Sequence, residues 1–423
     1  MRKIDILVEK ERNRQKSFRY NSYLKKALAI IESYQAQEPL SGYLKKVFAA
    51  EKKYGSTDRK SISALCYLYF RLGHAAKDLS IEERILLAIY LCEHISNEVL
   101  GLYRPDWNNQ IEWSLPEKIG SLPMPFSASS IFPFKDELSE GVSLEAFAQS
   151  HLRQPLLFLR LRKKTYSLLL DRIKKSGLPY EMIEEQCIAF PNGSKVEDII
   201  KIDTEAVVQD YSSQQVFNYL KKSAVLESLK PFRKYHLEYR HTQVIKAWDC
   251  CAASGGKSML LYDVLDKGLK PTVSDIRLSI LMNLHQRFKK ANLRFYDYFI
   301  GDLEKNILPE MKDTPFPIVV CDAPCTGSGT WGRTPEQLYF FKKETIQLYA
   351  ERQKKIVATA IPHLASGGLF FYITCSVFKA ENEEVAAFIQ SQFGLEQVHL
   401  ELLKGWDKQA DSMFVAVFKK ITN

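Results

Sequence analysis

The chain has no apolar run near the roughly 18 residues that a helical membrane span requires. It has no Cys-x-x-Cys pair with matching histidines, so its spacing offers no zinc site. Eight cysteines in 423 residues are too few for a disulfide framework and suit a reducing compartment. The opening stretch, MRKIDILVEKERNRQK, lacks the hydrophobic core and cleavage site of a secretory leader. Internal repeats and low-complexity tracts are missing too. Acidic residues are in deficit, with 59 Lys and Arg against 50 Asp and Glu, a net charge of +9. That balance suits a polyanionic partner such as nucleic acid as well as simple solubility. The expectation is a cytoplasmic, monomeric protein with neither membrane nor metal partner.

What is present has the texture of a globular protein. An apolar content of 46% and a charged content of 26% can fill a sizeable core, and the length allows two or three domains. Segments 20–35, 40–52, 58–73 and 81–95 carry apolar residues at helical spacing, for example Ile62, Leu65, Cys66, Tyr69 and Phe70. Asp58 can cap the third, and Ser80 with Glu83 makes a capping box for the fourth. The Pro-rich stretch 115–133 reads as a surface connection. From about 151 the pattern changes to a small α/β unit, with strands at Leu156–Leu161, Gln186–Phe190 and Val207–Gln209 and a helix at Tyr166–Lys175. Arg153, Arg160, Arg162, Lys163, Lys164, Arg172, Lys174 and Lys175 stud it, as a solvated face or a phosphate-tracking one. From about 212 strands and helices alternate. Strands are expected at Val244–Asp249, Thr272–Asp275, Phe295–Ile300, Ile318–Asp322, Leu369–Thr374, Gln397–Glu401 and Met413–Phe418, the last pair antiparallel. The expected domains are therefore 1–145, 146–211 and 212–423, the last a mostly parallel, doubly wound sheet.

In such a sheet ligands lie beyond the strand C-termini. Asp249 ends the first expected strand of this domain, and Ser254-Gly255-Gly256-Lys257-Ser258 turns from it into a helix. Asp275 ends the second strand, where a carboxylate can accept both hydroxyls of a ribose, and Asp302 follows the third, placed to accept from an adenine amino group. Three carboxylates would repel a pyrophosphate and welcome an adenosine-bearing sulfonium, so S-adenosylmethionine is preferred to a dinucleotide.

Cys325, in Asp322-Ala323-Pro324-Cys325, and Cys375, in Thr374-Cys375-Ser376, each follow a strand. Paired thiols with a nearby acid suit covalent chemistry on a pyrimidine. A thiolate adding to C6 makes C5 nucleophilic, a base then removes the C5 proton, and a carboxyl group near N3 steadies the charge. Lys257 can lower a nearby thiol pKa or meet a phosphate. Cys66, Cys92, Cys187 and Cys321 read as core residues, and Cys250 as pointing into the sheet.

These motifs make the chain from about 151 onward resemble the Sun/RsmB family of S-adenosylmethionine-dependent RNA cytosine-C5 methyltransferases. The resemblance rests on Gln209-Asp210-Tyr211-Ser212-Ser213-Gln214, the Asp-x-Cys-Ala-Ala-x-Gly-Gly-Lys loop, Asp275, Asp302, and the run Asp322 to Gly329. It also rests on Arg333-Thr334-Pro335-Glu336, Gly367-Gly368 leading into Thr374-Cys375-Ser376, Glu381-Asn382-Glu383 and Asp411-Ser412-Met413-Phe414. It implies a Rossmann-like methyltransferase domain with a mostly parallel seven-stranded sheet, and a small RNA-binding α/β subdomain. Cys375 is implied as the nucleophile at C6, Cys325 as the group assisting product release, and Asp322 as the contact to the base. Cys251, Ala252, Ala253, Ser254, Gly255, Gly256 and Lys257, with Asp275, Asp302 and Asp322, are implied to hold S-adenosylmethionine. Ser254 departs from the family, which has proline there, and residues 221–242 make a longer connection than usual. Asp58-Arg59-Lys60, Tyr67, Phe70-Arg71 and the helix at Leu86–Leu91 are similar to the NusB-like domain of the ribosomal branch, which implies 16S ribosomal RNA as substrate.

Three rivals remain at this point: the same chemistry on tRNA, a DNA cytosine methyltransferase, and a non-catalytic RNA-binding assembly factor. A DNA enzyme takes its nucleophile from the Pro-Cys loop, leaving Cys375 without work. Ser254 is the feature that points to an assembly factor.

Overall fold

The computed structural model describes residues 2–162, 166–236, 243–309, 311 and 315–421, with side chains from Arg14 onward. The chain divides into two compact units that are discontinuous in sequence, in place of the contiguous blocks expected above. One comprises Met1–Lys135, Ser143–Gln154 and Trp331–Lys342, the other Asp136–Val142, Pro155–Thr330 and Lys343–Asn423.

The first unit is helical, with helices at Arg2–Ser33, Leu40–Ala50, Ser56–Arg71 and Ile81–Cys92. The helical stripe Ile62, Leu65, Cys66, Tyr69 and Phe70 is buried, as its spacing requires. The capping box of Ser80 and Glu83 forms. Asp58 is not the cap of its helix: Gly55 holds that position, and the Asp58 carboxylate reaches back to accept from the Gly55 N–H at 2.9 Å. The stretch 115–133 is more than a surface connection. It contains a helix at Leu115–Gly120 and a 3-10 turn at Ala128–Ile131, and Lys118, Ala128, Ile131 and Phe132 are buried. Pro116 occupies the first turn of its helix, where no N–H is needed. Cys66 and Cys187 are buried as expected, whereas Cys92 is only partly so.

Two further segments are tied to these helices by a buried cation. Arg71 donates to the carbonyls of His151, Arg153 and Gly332 at 3.0, 3.0 and 3.1 Å. The Arg333-Thr334-Pro335-Glu336 motif, expected within the catalytic domain, therefore belongs to the helical unit. Its buried Glu336 accepts from the Leu40 N–H at 3.2 Å.

The second unit holds two sheets. The smaller is antiparallel, built from β1 (Leu157–Leu161), β2 (Glu181–Glu184), β3 (Cys187–Phe190) and β4 (Ala206–Val208) in the order β2-β3-β1-β4. Strand β2 escapes sequence reading because its residues are mostly exposed and show no apolar alternation. Leu159, Leu161, Ile188 and Phe190 cluster with Leu169 and Ile173 of the helix Tyr166–Ser176. The basic stripe does not form one solvated face. Arg160 and Arg162 turn inward onto Asp263 at 2.6 and 2.8 Å, and Arg172 pairs with Glu205 at 2.8 Å. Lys174 and Lys175 are exposed, while Lys163, Lys164 and the stretch 237–242 of the long connection lie outside the described residues.

The larger sheet contains β5 (Lys234–Tyr235), β6 (Gln243–Asp249), β7 (Leu269–Asp275), β8 (Asp297–Ile300), β9 (Phe316–Asp322), β10 (Leu364–Thr374), β11 (Glu396–Leu403) and β12 (Met413–Lys419). Their order is β11-β12-β10-β9-β6-β7-β8, with β5 paired to β6. Strands β10, β9, β6, β7 and β8 are mutually parallel, and β12 runs antiparallel to both β10 and β11. Val319 and Cys321 pack on one face, Ile318 and Val320 on the other. A parallel sheet covered on both faces produces such unbroken apolar strands. From β6 the chain builds outward through β7 and β8; it then returns to β9 and builds the other way. The strand order reverses between β6 and β9, and the crevice at that switch point faces the strand C-termini.

Candidate active site

The register of two parallel neighbours brings the thiols together. Asp322 of β9 lies opposite Ile373 of β10. Cys325 is three residues beyond the first and Cys375 two beyond the second, so both emerge at the same edge. Their sulfurs are 3.3 Å apart, in contact but well beyond the roughly 2.05 Å of a disulfide. Contact with Cys375, with burial, pushes the Cys325 thiol well above its ordinary pKa. Cys325 therefore keeps its proton.

The loops carrying these thiols are held from beneath by Glu381, which is fully buried. Its carboxylate accepts from the Thr326 N–H at 2.9 Å and hydroxyl at 2.5 Å, from the Ser376 hydroxyl at 2.6 Å, and from Gln353 Nε2 at 2.9 Å. Thr326 and Ser376 directly follow the two cysteines. The Tyr372 hydroxyl donates to the Glu381 carbonyl at 2.6 Å, and Gln353 Nε2 also donates to the Pro324 carbonyl at 3.0 Å. Gly329 completes the clamp, with its N–H on the Cys375 carbonyl and its carbonyl accepting from the Ser412 N–H, both at 2.9 Å. A Cβ at Gly329 would lie 2.1 Å from the Ser412 carbonyl oxygen, so only glycine permits this approach. Sequence reading marked Glu381 and Ser412 as parts of motifs without seeing their work.

Lys257 Nζ lies 2.6 Å from Asp322 Oδ2. Burial alone would lower the Lys257 ammonium, but the Asp322 carboxylate more than reverses this and raises it. Lys257 is thus a persistent cation beside Asp322.

A cavity of about 470 Å³ opens beside the thiols. Cys251, Ala253, Asp275, Asp302, Asp322, Cys325 and Cys375 line it. Ala252, Ser254, Gly255, Gly256 and Lys257 do not; they shape the turn behind it. Ala253 is held at φ 45°, a left-handed backbone costing about 1–2 kcal/mol, and its N–H reaches Asp275 Oδ2 at 3.1 Å. Gly255 caps the helix Gly256–Val264 at φ 80°, and a Cβ there would meet Phe288 Cε1 at 2.6 Å. Ser254 is secured by Arg287, whose Nη1 donates to its carbonyl at 3.1 Å and its hydroxyl at 3.0 Å. The same guanidinium pairs with Asp203 at 3.0 Å. Asp275 also accepts from the Arg277 backbone N–H at 2.9 Å and side chain at 3.0 Å, and Asp302 pairs with Lys305 at 3.4 Å.

Asp249 departs from its expected place among the cavity acids. It is buried behind the turn, accepting from the Ser258 hydroxyl at 2.5 Å, and burial pushes its carboxyl up to about 7. The Gln209–Gln214 motif likewise acts in the frame. Gln209 accepts from Arg160 Nε at 2.8 Å, and Asp210 caps the short helix after it and accepts from the Asp411 N–H at 3.1 Å. The sequence reading missed Arg277, Glu304, Tyr349, Arg352 and Ile356 on the cavity wall. The last three, on the helix Thr345–Ala360, are spaced at three and four residues and share one face.

The sulfurs of Cys250, Cys251 and Cys321 all lie within 4.8 Å of one another. Hydrogen bonds from Cys250 and Cys251 pull the Cys321 thiol down to about 6, against the effect of its burial.

Residues 235–418 match the family profile described as 16S rRNA methyltransferase RsmB/F. Ribosomal RNA small subunit methyltransferase B of Serratia proteamaculans is 30% identical over 151 residues, covering 34% of this chain and 33% of that protein. Its counterpart in Enterobacter is 25% identical over 256 residues, covering 58% and 54%. The chain thus spans between a third and about half the length of these curated relatives. In fold, the crystal structure of PH0851 aligns over 94% of this chain and 98% of its own with a TM-score of 0.65 at 16% identity. The sheet order and the thiol pair at the strand ends agree with the profile match, and residues 235–418 are similar to the RsmB/F methyltransferase family.

Proposed function

We propose that the protein is an S-adenosylmethionine-dependent RNA methyltransferase that modifies C5 of a cytosine in 16S ribosomal RNA through a covalent adduct to Cys375. The observation carrying this reading is the 3.3 Å contact between Cys325 and Cys375 on the wall of a cavity that also presents Asp275, Asp302 and Asp322. The residues fit an adenosine-bearing sulfonium. Carboxylates can take the ribose hydroxyls and the adenine amino group, and no cradle of backbone amides for a pyrophosphate is needed. The cofactor supplies an electrophilic methyl group when bound.

The chain's own groups divide the rest of the work. Cys375 adds to C6 and makes C5 nucleophilic. Lys257 and Asp322 form a fixed charge pair beside it; Asp322 faces the base and Lys257 favours the thiolate. Cys325, held protonated by its neighbour, is placed to pass its proton to the departing Cys375 sulfur, 3.3 Å away, as the Cys375–C6 bond breaks, and to take up the proton that leaves C5. The target base must be unpaired or flipped, because C6 attack needs access to a ring face. The helical unit contributes RNA binding in this reading.

Bisulfite sequencing of total RNA with and without the gene tests the substrate: loss of one protected cytosine in 16S ribosomal RNA is expected, and loss in tRNA instead would move the substrate there. Cys375→Ala should abolish methylation. Cys325→Ala should accumulate a covalent protein–RNA adduct visible as a slow band on a denaturing gel. Normal product release by that variant would refute the role given to Cys325.

A further inference from the structure

A second thiol cluster lies under the same cavity and takes no part in the chemistry above. Cys250 and Cys251 follow β6 directly, and Cys321 precedes the last residue of the adjacent β9. Cys250 and Cys321 are buried, Cys251 is half-buried, and both Cys250 and Cys251 reach the cavity wall. Three sulfurs within 4.8 Å of one another are close to the arrangement of a three-coordinate thiolate complex. With metal–sulfur bonds of about 2.3 Å, a trigonal complex places its sulfurs about 4 Å apart. The strands' pairing already supplies that convergence, so binding needs only a small closure of side chains.

Charge decides what such a site can hold. Three thiolates around a monovalent or divalent ion leave a net negative charge, buried beside Asp249 and Asp322, which is costly. A trivalent ion leaves none. Soft thiolate ligands also discriminate against hard, oxygen-seeking cations.

We propose that Cys250, Cys251 and Cys321 form a tris-thiolate site for a soft trivalent ion of the arsenite class, and that its occupancy closes the adjoining cavity to the nucleoside cofactor. The second half rests on the cofactor reading given above. In the binding step, arsenous acid and three thiols form three arsenic–sulfur bonds. Three arsenic–oxygen and three sulfur–hydrogen bonds break, three waters leave, and arsenic keeps its oxidation state. Entry is through the cavity, at Cys251. Once bonded, the arsenic stands at the stretch of cavity wall formed by Cys250 and Cys251, where the nucleoside would lie.

The test uses the full chain, reduced, carrying Cys325→Ser and Cys375→Ser so that the other thiol pair cannot compete. Titration with arsenite alone, read by native mass spectrometry, should show a single arsenic per chain. Adding Cys321→Val, which keeps an apolar side chain of similar size in the core, should weaken binding by about a hundredfold, close to 3 kcal/mol. Should that variant lose its fold by circular dichroism, Cys251→Ala at the half-buried position should give the same loss. Unchanged arsenic binding without one of the three thiols, or no binding at all, overturns the site. Calorimetry with S-adenosylmethionine before and after loading should show binding lost; unchanged affinity in the loaded chain overturns the closure. Failure of the arsenic-free chain to bind S-adenosylmethionine would instead count against the cofactor reading, leaving the arsenite titration to decide the site.

Discussion

Glu381 is the residue whose loss should be most revealing, because it joins both thiol loops without reaching the cavity. Its carboxylate takes four donors. In Glu381→Gln the volume is kept, but an amide NH2 replaces one acceptor oxygen and faces donors. Two hydroxyls can be redirected, since Ser376 Oγ lies 3.1 Å and Thr326 Oγ1 3.3 Å from Ser328 Oγ. The Thr326 N–H and Gln353 Nε2 both reach Oε2, so the amide oxygen keeps them by taking that position, and the NH2 stands at Oε1, where the Thr326 and Ser376 hydroxyls lose their acceptor. Two hydrogen bonds to a charged group are exchanged for neutral ones, where a bond to a charged group is worth about 1.5–3 kcal/mol. Removing the carboxylate, whose pKa burial has raised, recovers part of that. The expected net destabilisation is about 1–2 kcal/mol, measured by urea unfolding. The catalytic effect should be larger than the stability effect. Freed loops let the 3.3 Å sulfur contact relax, and a misplacement of about 1 Å can cost about a hundredfold in turnover. Turnover on an RNA substrate should fall by that order while S-adenosylmethionine affinity changes little, since Glu381 does not line the cavity. A Glu381→Gln variant with unaltered turnover and an unfolding free energy within about 0.5 kcal/mol of the parent would refute the clamp.

Three more outcomes follow from the same geometry. The Asp249 carboxyl, raised to about 7 by burial, binds its proton more tightly folded than unfolded. Stability should therefore fall as pH rises from about 4 to about 7, by at most on the order of 4 kcal/mol. Asp249→Asn should flatten that dependence in urea titrations across the range, and an unchanged slope would contradict the burial argument. Gly329→Ala places a Cβ 2.1 Å from the Ser412 carbonyl oxygen. Backbone must move, at a cost of about 1–3 kcal/mol in unfolding free energy, with turnover falling because the Cys375 carbonyl loses its donor. Arg287→Ala unties Ser254 from Asp203. Loss of charge-assisted bonds worth about 1.5 kcal/mol or more should weaken S-adenosylmethionine binding about tenfold by calorimetry, and Arg287→Lys should restore only part of it.

Residues in regular periodic contexts were legible before any coordinates. The strands β6, β7, β9, β10 and β12 announce themselves as apolar runs, and the first four end at Asp249, Asp275, Asp322 and, just before Cys375, Thr374. Covalent sequence also dictates that Cys325 and Cys375 emerge just past strand ends. It contains no direct statement that β9 and β10 are neighbours; that follows from the pairing of Asp322 with Ile373, and the sulfur contact follows from the pairing. Ion pairs were the least legible. Arg160 and Arg162 look like surface charge in sequence, yet Asp263, about a hundred positions away, draws both inward. Burial made the same difference for Asp249, an acid in register by sequence that the structure withdraws from the cavity. Tertiary contact likewise assigned Trp331–Lys342 to the helical unit through Arg71 and Glu336, and gathered Cys250, Cys251 and Cys321 into a cluster. Local sequence set the elements and the chemistry at their ends, because periodicity and turn residues act over a few positions. Which of those ends share a wall was decided by strand order and burial, which depend on contacts between distant parts of the chain.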